Sequence, residues 1–236
     1  MVQALQNMNV SEYFTRPHII LSTNCPLFSW MLLNRETYRQ VVALGLLDDE
    51  PYGSKSASVL GFQLMSNILR RKFIIKEEIM EEVRKRFEVI GKKPVVGFHI
   101  RRGDRSSDFK ETRRFLYEED IPRFMSCSVF KTVPKATIFI ASDSTVTKYK
   151  LRDSYPQRRI VVFNMTAQHT YSAVRKDFGR QRVRNVFIDM MTLAQCDYIV
   201  GTYRSSYSTL AAAFQGHVPY YVKHRQKCFV PRSFTY

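Results

Sequence analysis

Two adjacent arginines follow a short apolar run and are candidates for binding an anion. The run Val95–Ile100 is rich in β-branched and aromatic residues, which is typical of a buried strand. Arg101 and Arg102 come directly after it, and Gly103 and Asp104 follow. Guanidinium groups bind phosphate bidentately, so we interpret this strand end as a phosphate site. The alternative is a solvated charged loop that leaves a core strand.

Three further polar segments follow β-branched runs in the same half of the chain. They are Ser142–Ser144, Asn164–Thr166 and Thr202–Ser206. The carboxyl ends of parallel strands meet at one edge of an open α/β sheet, where ligands bind. We therefore expect these segments to lie beside Arg101–Asp104.

Four polar side chains near these strand ends have both a structural and a functional explanation. Ser205 and Ser206 open a predicted helix over 205–214, so they either hold a phosphate or act as ordinary N-caps. His99 lies within the first strand and has no acid at a catalytic spacing, which favours a structural role. Asp189 either binds a base edge or caps the helix predicted over 189–195.

Strands and helices alternate along most of the chain. Apolar runs predict strands over 18–24, 95–100, 136–141, 160–163, 198–201 and 218–222, with helices between them. This alternation predicts right-handed βαβ crossovers, an α/β fold and a Rossmann-like parallel sheet. The acid-, Pro-, Gly- and Ser-containing segment 48–58 predicts a domain boundary, which divides the chain into 1–58 and 59–236.

Two helices are predicted over 60–87, and the second is highly charged. We interpret its charges as a solvated face with i,i+4 pairs between Glu81 and Lys85 and between Glu82 and Arg86. A further helix is expected over 115–125.

The formal net charge of +16 indicates an anionic partner, such as a nucleotide, a nucleic acid, a sulfated glycan or a membrane surface. No apolar run approaches the roughly 18 residues of a membrane span. The beginning, MVQALQNMNVSEYF, lacks the regions of a signal peptide. The 4 cysteines show no C-x-x-C pair, so they permit disulfides without requiring them.

Motifs that hold metals or cradle phosphates are missing from the sequence. There is no H-E-x-x-H, EF-hand loop, D-x-D, G-x-G-x-x-G or Walker loop. If a nucleotide binds, arginines and helix N-termini have to neutralise its phosphates, and we expect neither a metal nor another cofactor.

Three segments resemble those of a known enzyme group. Gly97–Asp104, read as GFHIRRGD, resembles the H-x-R-R-x-D motif of GDP-fucose-dependent fucosyltransferases, which include α1,2-, α1,6- and protein O-fucosyltransferases. Thr137–Asp143 (TIFIASD) and Asp189–Ser206 (DMMTLAQCDYIVGTYRSS) resemble the second and third motifs of the group, in the same order. The resemblance covers residues 60–220 approximately.

The resemblance implies the C-terminal half of a GT-B glycosyltransferase with a reduced or truncated N-terminal part. Residues 1–58 would be the remnant of an acceptor-side domain, and 59–236 a Rossmann-like GDP-sugar-binding domain. The implied enzyme is an inverting, metal-independent transferase that moves L-fucose from GDP-β-L-fucose to a hydroxyl of a glycan or protein. The relatives are mostly enzymes of the secretory pathway, so the Golgi or another secretory lumen is expected.

The resemblance also assigns residue roles. Arg101 would bind the β-phosphate and stabilise the departing GDP, His99 and Asp189 would contact the guanosine, and Ser205 and Ser206 the pyrophosphate. Asp143 would hold the nucleoside or order the loop, and Arg102 and Asp104 would shape the first motif. The residues implied to form the GDP-sugar site are His99, Arg101, Arg102, Gly103, Asp104, Asp143, Asp189, Ser205 and Ser206.

The sequence departs from the group at the general base. In the α1,6 branch a glutamate follows the first motif, and the aligned position here is Phe109. Asp108 and Glu111 flank it and are the candidate bases.

One alternative function stays open at this point. A non-catalytic basic module could bind nucleic acid or an acidic glycan through the arginine- and lysine-rich segment Lys148–Arg184. If the chain is a fucosyltransferase, no nucleic acid partner is expected.

Overall fold

A computed structural model describes residues 35–92, 94–102, 116, 118–164, 180–203 and 205–230. These residues fall into two compact units that divide between Phe73 and Ile74, later than the boundary predicted after residue 58. The assignment of an acceptor-side and a GDP-sugar-binding domain stays a prediction. The strand predicted over 18–24 lies outside the described residues.

The first unit contains two described helices, α1 (Arg35–Ala43) and α2 (Ala57–Lys72). The Ser56 hydroxyl accepts a hydrogen bond from the Val59 N–H, as an N-cap does, and so fixes where α2 begins. The small core between the helices consists of Tyr38, Leu47, Leu60 and Leu64.

The second unit is a five-stranded parallel sheet covered by helices. Its elements are α3 (Glu77–Ile90), β1 (Val95–Ile100), a 3₁₀ turn (Glu118–Asp120), α4 (Pro122–Met125), α5 (Val129–Thr132), β2 (Thr137–Ser142), α6 (Thr145–Ser154), β3 (Ile160–Val162), α7 (Arg180–Ala194), β4 (Tyr198–Thr202), α8 (Ser206–Gln215) and β5 (Tyr220–Val222). The strand order is β3-β2-β1-β4-β5, and each pairing is parallel. The predicted α/β class and its Rossmann-like sheet are confirmed.

All six residues of β1 are buried, because helices cover both faces of the sheet. On one face, Phe98 packs against Phe124 with ring centroids 5.3 Å apart. On the other face, a Cβ on Gly97 would come within 2.5 Å of Leu193 Cδ1. The glycine therefore lets α7 pack directly on the central strand.

Two helix predictions differ from the structure. The helix predicted over 189–195 is α7, which begins at Arg180, so Asp189 lies inside the helix and does not cap it. Of the helix predicted over 115–125, the described residues 118–125 form a 3₁₀ turn followed by α4, where Pro122 stands in the first helical turn. Proline lacks an N–H and so begins helices readily, but it interrupts one that is already formed.

A disulfide and a buried carboxylate tie the segment after β5 to the segment around α4. Cys127 and Cys228 form the disulfide across a sequence separation of 101 residues. The fully buried Asp120 accepts hydrogen bonds from the Arg225 N–H at 2.9 Å and contacts His224 Nδ1 at 2.7 Å. Among the described helices, none is long and apolar enough to cross a membrane.

Candidate functional site

Thr202 extends the link between β1 and β4 beyond the last paired residues. The backbone register of the two strands ends at His99 opposite Gly201. One residue further on, Thr202 Oγ1 donates to the His99 carbonyl at 3.0 Å and accepts from the Arg101 N–H at 2.9 Å. A single buried hydroxyl thus holds the backbone on both sides of Ile100.

Two side chains at the end of β2 bind further backbone groups of residues 100–102. Ser142 Oγ donates to the Ile100 carbonyl at 2.7 Å, and Asp143 Oδ1 accepts from the Arg102 N–H at 2.8 Å. This bond joins Asp143 to the segment that follows β1, and the predicted role of Asp143 in ordering the loop stays a prediction. Its contact with the nucleoside stays a prediction.

The Arg102 side chain pairs with neighbouring protein groups. Its guanidinium lies 3.0 Å from the Glu118 carboxylate and donates to the Leu116 carbonyl at 3.1 Å. Glu118 also binds Lys150 at 2.6 Å, and the hydrogen bond from Lys150 is the main cause that lowers the pKa of this carboxyl. A direct role of Arg102 in holding the donor stays a prediction.

His99 presents a neutral ring with an unused nitrogen. The imidazole stacks on Tyr207 of α8 with centroids 4.6 Å apart, and the Tyr207 hydroxyl donates to the Val186 carbonyl at 2.9 Å. Burial, and secondarily the charge of Arg101, lowers the pKa of His99 to about 3. Within the described ranges His99 Nδ1 is buried without a hydrogen-bond partner. Such groups are rare in folded proteins, and a ligand is one explanation.

Ser205 is the N-cap residue of α8, but its side chain does not cap the helix. Its hydroxyl is buried and has no hydrogen-bond partner among the described residues, while its N–H donates to the Thr202 carbonyl at 3.1 Å. The ordinary N-cap explanation therefore does not account for this hydroxyl. Ser206, the first residue of α8, is exposed at the helix N-terminus, where the backbone dipoles favour an anion.

Gly201 permits α8 to approach β4 closely. A Cβ at this position would lie 2.4 Å from Ser208 Oγ and 2.5 Å from Ser208 Cβ, which is closer than real Cβ contacts. The absence of that Cβ lets the first turn of α8, and with it Ser205, lie at the end of the sheet beside His99.

Asp189 belongs to a buried charge cluster. Arg86 Nη1 lies 2.5 Å from Asp189 Oδ1, and Lys148 Nζ lies 4.0 Å from Oδ2. The Arg86 guanidinium also lies 4.8 Å from the ring centroid of Phe163. Burial raises the pKa of Asp189, and the positive charges of Arg86 and Lys148 lower it by less. Burial also lowers the pKa of Lys148.

The prediction that Arg86 lies on a solvated face with Glu82 is wrong. Arg86 is 7% exposed and points toward Asp189, while Lys85 is the residue that pairs with Glu81 and Glu82. The pattern contained a signal that we missed, because Arg86 continues the helical stripe of buried Ile79, Val83 and Ile90.

An open groove of about 470 Å³ lies between α3 and α7 and is lined partly by Arg86 and Phe163. Of the predicted donor contacts that the structure describes, none lines this groove.

Several predicted residues have no structural account. Gly103, Asp104, Asp108 and Glu111 lie outside the described residues, as does part of the basic segment Lys148–Arg184. In the part of the chain that is described, no group of three His, Cys, Asp or Glu residues is placed to hold a metal ion.

The sequence matches a known family over most of this region. A sequence model of the family described as "Alpha-(1,6)-fucosyltransferase N- and catalytic domains" matches residues 55–214, which is more than half of the chain. The chain belongs to this family. The match includes all three segments that resemble fucosyltransferase motifs, and the predicted membership of the GDP-fucose-dependent fucosyltransferases is confirmed.

A solved structure of a fucosyltransferase shares the fold, and two others are similar over part of the chain. A point mutant of Arabidopsis thaliana FUT1 in complex with GDP matches 71% of this chain and 40% of its own, with a TM-score of 0.51 and 12% identity. POFUT1 in complex with GDP matches 70% of this chain and 50% of its own, with a TM-score of 0.46 and 12% identity. NodZ alpha-1,6-fucosyltransferase co-crystallized with GDP matches 64% and 44%, with a TM-score of 0.39 and 13% identity. The chain thus spans half or less of the length of each of these proteins.

Proposed function

We propose that this member of the fucosyltransferase family transfers L-fucose from GDP-β-L-fucose to a hydroxyl of a glycan or protein, with inversion and without a metal ion. The family match supports the donor, and the FUT1 complex supports the fold in which GDP would be held. The observation that carries the proposal is local. His99 Nδ1 and Ser205 Oγ are buried polar atoms with no partner among the described residues, at the sheet edge where Arg101 begins its loop.

These groups suit a nucleoside diphosphate. The neutral His99 ring offers one hydrogen bond to the guanosine, the Ser205 hydroxyl and the N-terminus of α8 suit the pyrophosphate, and the Arg101 guanidinium suits the β-phosphate. Ser206, Asp143 and Asp189 are the further donor contacts that we propose, together with Gly103 and Asp104 of the first motif.

The proposed reaction is a single displacement. The acceptor oxygen attacks the anomeric carbon, the bond from that carbon to the β-phosphate oxygen breaks, and the acceptor proton passes to a carboxylate base. Asp108 or Glu111 is the proposed base, and GDP departs with the added negative charge. Arg101 would stabilise that charge as it develops, the kind of electrostatic effect that is often the largest in catalysis.

The first test is binding of GDP to the full chain. We expect GDP to raise the melting temperature of the wild type, since a ligand that binds only the native state stabilises it. Arg101→Ala should abolish that shift, and a donor-hydrolysis and transfer assay should show a kcat about 100 to 1000 times lower. Lys150→Ala, which removes a cation that already pairs with Glu118 at an exposed position, is the matched control.

Two results would contradict the proposal. One is a wild type that GDP does not stabilise but UDP does, which would indicate another nucleotide-sugar donor. The other is equal GDP shifts in the wild type and in Arg101→Ala, which would remove Arg101 from the donor site.

The net charge of +16 is the observation that favours a second function, binding of nucleic acid or an acidic glycan. That function predicts binding with a steep salt dependence and no GDP shift. Fucosyltransferase activity predicts the opposite pattern.

We also propose the Golgi or another secretory lumen as the location. The Cys127–Cys228 disulfide supports an oxidising compartment, because disulfides persist there and are rare in the cytosol.

A further inference from the structure

We propose that Thr202 is a positioning residue for donor binding, which it serves by holding Arg101, His99 and Ser205 in one arrangement. This inference rests on the proposed function, because it assumes that those residues contact the GDP-sugar. Thr202 itself is 2% exposed, so it acts through the groups it binds.

Thr202 bonds to all three residues. Its hydroxyl donates to the His99 carbonyl at 3.0 Å and accepts from the Arg101 N–H at 2.9 Å. Its own carbonyl accepts from the Ser205 N–H at 3.1 Å. Because a hydroxyl has one proton and two lone pairs, the two side-chain bonds fix each other: the proton is committed to His99, which leaves a lone pair for Arg101.

The hydrogen bonds of Thr202 lie just beyond the point where the backbone pairing of β1 and β4 ends. The strand register between β1 and β4 ends at His99 opposite Gly201, so Arg101 lies beyond the paired residues of these two strands. Ser142 and Asp143 on the β2 side bind Ile100 and Arg102 rather than the backbone N–H of Arg101. A guanidinium that has to reach a phosphate depends on the direction in which its backbone leaves the strand, and small errors in such positions are costly.

The test uses three variants of the full chain. Thr202→Val keeps the shape of the side chain and removes the hydroxyl, and Thr202→Ser keeps the hydroxyl. Thr137→Val makes the same substitution at the amino end of β2, at the edge of the sheet opposite the carboxyl ends of the strands. For each we would measure the melting temperature, the Kd for GDP, and kcat and KM for GDP-fucose.

We expect Thr202→Val to weaken GDP binding about tenfold, because the side chain no longer fixes the backbone at Arg101 and a small misplacement of a binding group can cost as much as about a hundredfold. Thr202→Ser should restore most of the affinity, and Thr137→Val should leave it unchanged. In an Arg101→Ala background, titrated at GDP concentrations well above those of the melting assay so that the weakened site fills, Thr202→Val should cause less than half of its loss in the wild type, because most of its effect passes through Arg101.

Other outcomes would overturn the inference. If Thr202→Val binds GDP as the wild type does while Arg101→Ala does not, the proposed function stands and the role of Thr202 is wrong. If Thr202→Val weakens GDP binding by the same factor with and without Arg101, the residue does not act through Arg101. If Thr202→Val is too unstable to assay, Thr202→Ser and Thr202→Cys decide: the serine has to bind GDP more tightly than the cysteine, which is a much weaker donor and acceptor.

Discussion

The imidazole of His99 stacks on the ring of Tyr207 with 28° between the ring planes, and this contact joins the central strand β1 to the first turn of α8. Because the Tyr207 hydroxyl is bound to the Val186 carbonyl, the tyrosine is held at both ends. Tyr207 therefore covers one face of the His99 ring, and the ring edge that carries Nδ1 is the part that we propose contacts the guanosine.

Burial of a neutral histidine predicts a loss of stability in acid. The folded pKa of His99 is about 3, below the 6.5 of an unfolded histidine, so below pH 6.5 only the unfolded chain gains the proton. Lowering the pH from 7 to 5 should therefore remove about 2 kcal/mol of unfolding free energy through this residue. His99→Phe keeps the stacked ring but cannot titrate. Urea unfolding at pH 7, 6 and 5 should give a smaller pH dependence for the variant, and equal dependence in both would contradict the prediction.

The parallel sheet could be predicted because each strand is a short apolar run bounded by polar residues and alternates with helices. The order of the strands, β3-β2-β1-β4-β5, could not, because the same alternation is compatible with more than one order. The site was only partly predictable. The polar residues that follow the strands made Arg101 and Ser205 candidate donor contacts. The sequence does not distinguish the Thr202 hydroxyl from the other polar side chains at the ends of strands. Its role depends on the register of β4 against β1, which is a tertiary property.

Asp189 shows a different limit of sequence interpretation. An acid before an apolar segment usually caps a helix, but here the cationic partners come from α3 and α6, more than 40 residues away in the chain. The i,i+4 pattern of α3 predicts local pairs on a solvated face. It does not predict that Arg86 binds Asp189, which lies 103 residues away in the sequence, instead of pairing with Glu82.

Breaking the Arg86–Asp189 pair should be strongly destabilising. Both side chains are buried, at 8% and 2% exposure, and removal of one partner of such a pair leaves the other charge without its counterion. We expect Arg86→Met to cost about 3 kcal/mol or more. Asp189→Asn should cost more than Arg86→Met, because the carboxylate serves both Arg86 and Lys148, whereas loss of Arg86 leaves Asp189 beside Lys148.

A double-mutant cycle in urea checks this prediction. The variant carrying both Arg86→Met and Asp189→Asn should be more stable than the sum of the single changes implies. Arg84→Met on the same helix, which removes an exposed partner of Glu77, is the control and should change stability by less than about 1 kcal/mol. Strict additivity of the two buried changes would show that the residues do not stabilise each other.

Adding a methyl group at Gly201 should affect both stability and GDP binding. The new Cβ would collide with Ser208 Cβ, which belongs to the helix itself and cannot rotate away, so α8 has to shift. We expect Gly201→Ala to cost about 1 to 3 kcal/mol of unfolding free energy. Because Ser205 and Tyr207 move with α8, the Kd for GDP should rise as well.

Gly97→Ala is the matched control for that variant. Its Cβ would collide with Leu193 Cδ1 on α7 and with Cys196 Sγ just after α7, so it should destabilise the fold while acting on α8 only indirectly, through α7. Calorimetric titration with GDP, at a temperature where both variants are folded, separates the two. A larger loss of GDP affinity in Gly97→Ala than in Gly201→Ala would contradict this account of α8.

The Cys127–Cys228 disulfide should contribute strongly to stability. It closes a loop of 101 residues, and in the chain-entropy model a loop of that length stabilises the native state by about 4 to 5 kcal/mol. Replacement of both cysteines by alanine, or addition of a reductant, should lower the urea midpoint by the same amount. The buried Cys196 does not belong to this disulfide, so Cys196→Ala should stay as sensitive to reductant as the wild type. If the reductant leaves the wild-type midpoint unchanged while alkylation and mass mapping show both thiols free, the bridge does not stabilise the fold. In that case the main structural support for a secretory location is also lost.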